Sequence, residues 1–348
     1  MRPEAAWFIG LQRGGMQLTV MTQRDSVCAE PMREAGIELV HMDEHPKFNI
    51  RAIRQIRDTL RSGQHQIIHL FNNKAITNGI IAALGLPVKV VAYRGQTGGV
   101  KRYDPTRYLT HLNPRIDCVT CVSDAVRRDL LANGVPEKKL ATIYKGHDID
   151  WYKNIEAEDL SVLRVPPDAF VVACVANNRP RKGVPVLIES AKFLPADSRV
   201  HFILIGIGMT GEDIRDQVSK SPLANNFHLL DYTTDVLKLV AACDATILPA
   251  TRGEGLPKTV IESMGLGITP IATSTGGSPE LIVDGESGLV VPPNDAPALA
   301  RAVLKIVGDP ELNRSMARAA QQRLATHFTL EQCVADHRRL YESLVSNR

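Results

Sequence analysis

The chain has 348 residues, of which 44% are hydrophobic and 23% charged, and a formal net charge of +3, which is typical of a globular protein with more than one domain. No apolar run is long enough to span a bilayer, and residues 1–10 lack the basic start, apolar stretch and cleavage site of a secretory signal, so we expect a cytoplasmic protein. The basic residues are not interleaved with aromatic ones, which argues against nucleic-acid binding.

Short apolar runs alternate with amphipathic segments along the chain, a pattern typical of parallel strands joined by helical crossovers. In the first half, strands are predicted at residues 18–22, 37–41, 66–71, 88–93, 118–122 and 140–143. In the second half, they are predicted at residues 170–176, 200–205, 228–230, 245–248, 268–272 and 288–290. Both halves follow the same order of elements, so we predict an α/β fold with two Rossmann-like domains.

The break between the halves is predicted at residues 151–167, a polar and acidic stretch that ends in two prolines before a new strand. This linker separates an N-terminal domain, residues 1–150, from a C-terminal domain, residues 168–325. A C-terminal helix at residues 326–348 could cross back to the first domain. Ligands bind beyond the carboxyl ends of parallel strands, so two sheets that face each other would hold a substrate in the cleft between them.

The six cysteines are scattered, and only Cys118 and Cys121 form a CxxC pair. This pair lies in a predicted strand, and no second pair or histidine cluster completes a metal site. Buried structural thiols are therefore the simpler interpretation. Lone histidines such as His69, His201 and His228 are interpreted as core or strand-end residues. We predict no metal site.

The most informative stretch is residues 248–264, where a strand ends, a loop containing Gly and Pro follows, and a helix begins near Lys258. Backbone N–H groups and the positive end of a helix dipole would meet there, an arrangement that suits a phosphate. Glu254 lies in the loop and Glu262 about one turn into the helix. A carboxylate accepts two hydroxyl hydrogen bonds, so Glu262 would suit a ribose and Glu254 a sugar.

Glu254 and Glu262 also have the spacing of the Glu-x7-Glu signature of the retaining glycosyltransferases of the GT-B fold, family 4, which this chain resembles. Residues 265–280 and 284–293 are similar to the blocks that follow that signature. The resemblance runs from about residue 170 to the C-terminus and implies that this half binds a UDP- or GDP-sugar as co-substrate. Besides Arg181, the donor-binding residues predicted are Gly255, Leu256, Lys258, Thr259 and Glu262.

Residues 175–183 follow a predicted strand and open a helix, which places Arg179, Arg181 and Lys182 at the ligand-binding edge of the sheet. Cations there would neutralise a diphosphate, both in binding and as it leaves. The resembling family supplies an Arg and a Lys from this loop. Lys182 matches that Lys, whereas the family's Arg position is near residue 177, which is Asn here. We therefore predict Glu254, Lys182 and Arg179 as the catalytic residues.

The first half resembles the acceptor domain of the same family more loosely, through residues 117–123 and 139–148. Members of the family open with a strand and a Gly-Gly loop, whereas residues 3–8 resemble the helix after that loop. A first strand that is missing would leave an exposed sheet position. After the strand at 88–93, Arg94, Gly98 and Gly99 replace a His-containing loop, and Arg94 could contact the donor phosphate or an anionic acceptor.

The segment 47–61 places apolar residues on one helical face and four arginines, Arg51, Arg54, Arg57 and Arg61, on the adjacent one. This stripe could dock on an anionic membrane surface or a phosphorylated glycan. A solvated helix face is the alternative interpretation.

The sequence therefore predicts a transferase that moves a hexose or related sugar from a nucleoside diphosphate sugar to a glycan or lipid-linked acceptor, in cell-envelope polysaccharide or lipopolysaccharide synthesis. The resemblance implies retention of configuration and no bound metal or other cofactor. One alternative is a non-catalytic nucleotide-sugar binding or partner-docking protein of the same fold. A phosphorylase or nucleotide-sugar epimerase is a rival that the sequence blocks fit less well.

Overall fold

The computed structural model describes residues 3–23, 26–43 and 46–346. The chain divides into two compact units: Met1–His147 together with Phe328–Arg348 form the first, and Asp148–His327 the second. Within the described residues, no helix has both the length and the apolar character needed to cross a membrane.

The first unit begins with alternating helices and strands. They are α1 (Pro3–Arg13), β1 (Thr19–Thr22), α2 (Ala29–Glu34), β2 (Glu38–His41), α3 (Ile50–Ser62), β3 (Ile67–Leu70), α4 (Asn73–Ala82), β4 (Lys89–Arg94), β5 (Cys118–Cys121), α5 (Asp124–Ala132) and β6 (Leu140–Thr142). Side chains of Asn49, Asn72 and Ser123 accept a backbone N–H in the first turns of α3, α4 and α5, which fixes where these helices begin.

The strands of the first unit form two separate parallel sheets. One contains β1 and β2, and the other has the order β3-β4-β5-β6. All six strands predicted for this half are present, each within about two residues of its predicted limits. Strand β5 is buried along its whole length. Its Cys118 and Cys121 are buried free thiols, in agreement with the interpretation of the CxxC pair as structural.

The second unit contains the elements β7 (Phe170–Val175), α6 (Val184–Ser190), β8 (Val200–Ile205), α7 (Glu212–Ser219), β9 (Phe227–Leu230), α8 (Val236–Ala241), β10 (Ala245–Leu248), α9 (Lys258–Leu266), β11 (Thr269–Thr273), α10 (Ser278–Leu281), β12 (Leu289–Val291), α11 (Ala296–Val307) and α12 (Pro310–His327). Its six strands form one parallel sheet with the order β12-β11-β10-β7-β8-β9. Apolar clusters pack against both faces of this sheet. As a result, every side chain of the interior strands β8, β10 and β11 is buried.

The sheet order of the second unit places β10 and β7 side by side at its centre. The loops that follow these two strands therefore emerge at the same edge of the sheet. They are the two loops in which the sequence analysis predicts the ligand-binding residues.

The last helix, α13 (Leu330–Ser346), belongs to the first unit. His337 of α13 stacks on Trp7 of α1 with ring centroids 3.9 Å apart. The hydroxyl of Tyr341 lies 2.6 Å from Nδ1 of His69, whose Nε2 lies 3.0 Å from the hydroxyl of Thr120. Burial lowers the pKa of His69 well below its usual value, so His69 is a neutral core residue.

Candidate functional site

The loop after β10 brings a carboxylate and an open helix terminus to the central edge of the second unit's sheet. Helix α9 begins at Lys258, after Pro257, and no side chain caps it. The first N–H groups of a helix have no partner within the helix, so those of α9 are available to an acceptor. Within the described part of the chain, the hydroxyl of Thr259 in this first turn is also buried without a hydrogen-bond partner.

Glu254 lies in the same loop and is surrounded by cations. Its Oε1 accepts from Nζ of Lys182 at 2.8 Å and from Nη1 of Arg181 at 3.3 Å. The Glu254 side chain is only 6% exposed and that of Lys182 17%. These two contacts give the buried carboxylate its charge partners and fix the position of Glu254.

The loop that carries Arg181 and Lys182 is seated directly on the loop after β10. Gly183 has φ +71°, and a Cβ atom added to it would lie 1.8 Å from the carbonyl oxygen of Pro249. The backbone N–H of Thr251 donates to the carbonyl of Arg181 at 2.9 Å, and Nη1 of Arg181 donates to the carbonyl of Gly253 at 3.2 Å. This close approach of two backbones explains why Lys182 reaches Glu254.

A third loop, after β11, supports Glu254 from another direction. Gly276 has φ +54°, and a Cβ atom there would lie 2.1 Å from the carbonyl oxygen of Glu254. The N–H of Gly277 donates to the carbonyl of Gly255 at 2.7 Å. In the described residues, the hydroxyl of Ser278 next to it is buried and lacks a hydrogen-bond partner.

Glu262 lies one turn into α9, with only 11% of its side chain exposed. Its Oε1 is 2.7 Å from Nζ of Lys258, which is 62% exposed. The ring of Tyr152 lies against Gly265, since a Cβ atom added to Gly265 would be 2.4 Å from Cδ2 of that ring. Burial, with the nearby Glu262 carboxylate, raises the pKa of Tyr152, so this phenol stays protonated.

Arg179 is placed differently from Lys182. It precedes the short 3₁₀ turn Pro180–Lys182, and its side chain is exposed. The guanidinium that contacts Glu254 is that of Arg181, which the sequence analysis assigned to donor binding. Asn177, at the position where the family has its Arg, accepts from the N–H of Ile207 at 3.2 Å and holds the tight turn after β8.

The three residues predicted in the first unit form a loop of their own. Arg94 ends β4, is only 7% exposed, and donates to the carbonyl of Gly98. The N–H of Gly98 donates to Oδ2 of Asp129 at 2.9 Å. Gly98 and Gly99 have φ +74° and +76°, and a Cβ atom added to Gly99 would lie 3.6 Å from Nη2 of Arg94. The structure thus brings Arg94, Gly98 and Gly99 together, with the Arg94 guanidinium bracing the loop.

Sequence reasoning missed Tyr152, Gly276 and Ser278. Tyr152 falls in the stretch that was predicted to be a linker, where the pair Trp151 and Tyr152 at the start of a polar segment was its only signal. Gly276 and Ser278 lie in the block that follows the Glu-x7-Glu signature. Their contacts join residues about 20 positions apart across the edge of the sheet, so no local pattern indicates them.

Together, Lys182, Arg181 and the first turn of α9 supply positive charge beside two well-buried carboxylates. Cations and backbone N–H groups bind phosphate oxygens, and carboxylates bind hydroxyl groups. The arrangement can therefore hold a ligand that carries both phosphates and sugar hydroxyls.

Two family models match the chain. The model of the glycosyl transferases group 1 matches residues 156–323, and that of Glycosyltransferase Family 4 matches residues 9–151. The first match contains every residue predicted around Glu254, and the two matches together cover most of the sequence.

Curated relatives are similar over about two thirds of the chain. An uncharacterised glycosyltransferase of Methanocaldococcus jannaschii, MJ1069, is 26% identical over 239 residues, which are 67% of this chain and 60% of the relative. The lipopolysaccharide core biosynthesis glycosyltransferase LpsE of Rhizobium meliloti is 28% identical over 228 residues, which are 65% of this chain and 64% of the relative. The matched region thus spans less than two thirds of the length of either relative.

Among solved structures, that of Anabaena Alr3699/HepE in complex with UDP has a TM-score of 0.78 and 21% sequence identity, and the likeness covers 99% of this chain and 97% of that one. The likeness shows the fold, which is GT-B with two Rossmann-like domains, as predicted. The two family matches, which together cover most of the sequence, show that the chain belongs to the family 4 glycosyltransferases.

Proposed function

We propose that the chain transfers a sugar from a nucleoside diphosphate sugar to a hydroxyl group of its acceptor, with retention of configuration and without a bound metal. The observation that carries this proposal is the contact of Glu254 with Lys182 and Arg181 beside the uncapped start of α9. It combines diphosphate-binding groups with a carboxylate at the position where a donor sugar would lie. The UDP complex of Anabaena HepE supports a uridine nucleotide as the first donor to test.

The chemistry follows from where charge develops. When the glycosidic bond breaks, the leaving diphosphate becomes more negative, so cations beside it stabilise the transition state more than the bound donor. The ammonium of Lys182 has three N–H donors and can hold Glu254 and a phosphate oxygen together. Glu254 would favour positive charge at the anomeric carbon, and the leaving phosphate would accept the proton of the acceptor hydroxyl. Arg179, on the exposed start of the same loop, would reach the outer phosphate.

We expect calorimetric titration with UDP, GDP and ADP to show saturable binding of one nucleotide, with UDP as the strongest candidate. Glu262→Ala should weaken that binding by about 10- to 100-fold, because hydrogen bonds to a charged group are worth about 1.5–3 kcal/mol. The matched control is Glu311→Ala, which removes an exposed glutamate of the same unit. Binding that is unchanged in Glu262→Ala would remove this residue from the donor site.

The acceptor is proposed to be a glycan or a lipid-linked saccharide of the cell envelope, made on the cytoplasmic face of the membrane. The similarity to LpsE, whose name assigns it to lipopolysaccharide core biosynthesis, supports this class. Transfer assays with envelope saccharides as acceptors would test it, and a strict preference for a small soluble acceptor would contradict it.

We also propose a peripheral contact with anionic lipid through the start of α3. Phe48 and Ile50 are 53% and 69% exposed, and Lys47, Arg51 and Arg54 beside them are exposed too. Arg57, predicted in the same stripe, instead donates to the carbonyls of Ala82 and Leu84 at 2.8 and 2.7 Å, at the end of α4. Exposed apolar side chains flanked by basic ones are typical of surfaces that bind anionic bilayers.

The double variant Arg51→Ser with Arg54→Ser should bind vesicles of anionic phosphatidylglycerol about 30-fold more weakly. Each basic residue near such a surface contributes about 1 kcal/mol. Co-sedimentation with these vesicles, and with neutral phosphatidylcholine vesicles, measures the effect. The matched control, Arg314→Ser with Arg318→Ser, removes two exposed arginines of α12. Equal binding of both double variants would contradict the proposed surface.

The second candidate function is donor binding without turnover, in a protein that docks on a partner. The separation of the first unit's strands into two sheets favours it, since the family places its acceptor domain there. Hydrolysis of the donor sugar separates the two candidates: a binding protein would hold the nucleotide as tightly as an enzyme but release no free sugar.

A further inference from the structure

The loop between β4 and β5 spans residues 95–117 and follows the carboxyl end of β4. In open parallel sheets, ligands bind beyond the carboxyl ends of the strands, so this loop lies at the ligand-binding edge of the β3-β4-β5-β6 sheet. Connections in such sheets are usually about 2–6 residues long, and much longer ones are commonly binding loops. The loop is therefore a candidate binding element of the first unit.

The part of the loop that follows Gly98 is anchored at both ends. At its start, the guanidinium of Arg94 donates to the carbonyl of Gly98, and Val100 is buried. At its end, the hydroxyl of Thr77 in α4 donates to the carbonyl of Leu109 at 3.2 Å. Between these anchors, the loop forms the 3₁₀ turn Pro105–Leu109. Side chains in this part of the loop are thus presented by a fixed backbone.

Asp104 shapes the middle of the loop. Its carboxylate accepts from the backbone N–H of Thr106 at 2.9 Å and from Nε of Arg107 at 3.0 Å, which caps the 3₁₀ turn. Asp104 is the only carboxylate in the sequence of residues 95–116. Because Asp104 is paired with Arg107, it does not offset the charge of the other cations in the loop.

The same backbone presents two tyrosine rings and two cations to solvent. Tyr103 is 91% exposed and Tyr108 49% exposed. Lys101 and Arg102, which precede Tyr103, are exposed as well. Exposed aromatic rings thus lie beside exposed positive charge within one short stretch of chain.

This combination suits a saccharide that carries negative charge. A tyrosine ring is a large, rigid contact surface, and it can stack on the C–H face of a pyranose ring. Exposed ammonium and guanidinium groups bind carboxylate and phosphate oxygens. The chain is a glycosyltransferase, and the Family 4 model matches residues 9–151, which include the whole loop. A saccharide is therefore favoured over RNA or a bilayer as the ligand of this edge.

We infer that the loop segment 100–109 binds the acceptor and that this acceptor is an acidic saccharide, with a uronate or a phosphate group. Tyr103 and Tyr108 stack on its sugar rings, and Lys101 and Arg102 bind its anionic group. This inference rests on the proposed function, because it names the chemical class of the acceptor.

Calorimetric titration of the 348-residue chain with two acidic saccharides is the first test. Tetragalacturonate carries uronate groups, and pentamannose phosphate carries a phosphate group. At least one of them should bind at least about tenfold more tightly than its neutral form, which is the carboxyl-reduced or the dephosphorylated saccharide. The acid that binds identifies the anionic group. Equal affinity for the acidic and neutral forms, or no binding of either acid, would overturn the inference.

Variants of the two cations test the position of the site. Lys101→Gln with Arg102→Gln should weaken binding of the acidic saccharide by about tenfold or more, since each variant residue loses a contact with the anion. The matched control, Arg61→Gln with Lys138→Gln, removes two exposed cations elsewhere in the first unit. The same loss of affinity in both double variants would place the anion outside the loop and contradict the inference.

Variants of the two tyrosines separate stacking from a structural role. Tyr103→Ala with Tyr108→Ala should weaken binding by about tenfold, whereas Tyr103→Phe with Tyr108→Phe keeps both rings and should bind as the wild type does. Unchanged binding in the alanine variant would remove the tyrosines from the site.

Three further titrations distinguish this inference from its rivals. A hexameric uridine oligonucleotide, or vesicles of phosphatidylglycerol, could bind more tightly than either acid and lose that binding in the Lys101 and Arg102 variant. That result would assign the loop to RNA or to a membrane and overturn the inference. Titration with UDP reports on the second unit: binding of UDP without the acids contradicts only this inference, and binding of an acid without UDP contradicts only the proposed donor site.

Discussion

Lys182→Ala is expected to lower the rate of sugar transfer by about 100- to 1,000-fold, the loss that follows when one donor to a developing anion is removed. The ammonium of Lys182 lies 2.8 Å from Glu254 and is only 17% exposed, so water would replace it poorly. Binding of the nucleoside diphosphate should weaken as well, because on the proposed assignment the same cation would contact the diphosphate before and after the bond breaks.

The control for this variant is Lys192→Ala, which removes a half-exposed lysine paired with Glu189 on the same unit. Thermal unfolding of both variants would show that they are folded. Glu254→Gln adds a sharper contrast: it should slow transfer strongly without weakening UDP binding, because Lys182 and Arg181 remain and lose a competing carboxylate. If Lys182→Ala turned over donor at the wild-type rate, diphosphate stabilisation would have to come from other groups.

Gly183→Ala should lower the free energy of unfolding of the second unit by about 3–5 kcal/mol. An alanine at φ +71° costs about 1–2 kcal/mol, and its Cβ would lie 1.8 Å from the carbonyl oxygen of Pro249, which forces the two loops apart. The midpoint of thermal unfolding should fall by about 10 °C. Because the loop of Lys182 would move away from Glu254, activity should fall even where the variant is still folded.

Gly285→Ala is the matched control, since Gly285 has φ +78° and nothing lies within 4 Å of an added Cβ atom. This variant should lose only the contribution of the strained backbone, which lowers the free energy of unfolding by about 1–2 kcal/mol. Equal destabilisation in the two variants would show that the approach of the two loops contributes nothing. A much larger loss in Gly183→Ala would attribute the difference to that approach.

Strands of the described residues could be predicted because a strand that is covered on both faces appears in the sequence as a short continuous apolar run, as in Phe170–Val175. The runs alternate with helical patterns, which fixes the α/β class. The separation of the first unit's strands into two sheets depends on which strands form hydrogen bonds with each other, and this cannot be read from the sequence of any single strand. In the sequence, residues 18–22 and 66–71 resemble any other strand, although among the described residues β1 pairs with β2 only and β3 with β4 only.

The candidate site was predictable where its residues are close in sequence, as Glu254 and Glu262 are. The contact of Glu254 with Lys182 joins residues 72 positions apart, and only the adjacency of β7 and β10 brings them together. Sequence order also cannot distinguish Arg179 from Arg181, because the side on which each guanidinium lies depends on the 3₁₀ turn Pro180–Lys182. The burial of Arg94 likewise depends on how its loop folds back.

The course of the chain through its two units has a consequence for biosynthesis. Residues 148–327 are translated between the two segments of the first unit, and these segments meet at a bridge between His147 and Thr329. The ribosome therefore delivers the whole second unit before α13 exists, an interval of roughly ten to forty seconds. During that interval, the face of Trp7 on which His337 later stacks remains exposed. The first unit is therefore completed last, and we expect it to be the part of the chain that binds chaperones longest.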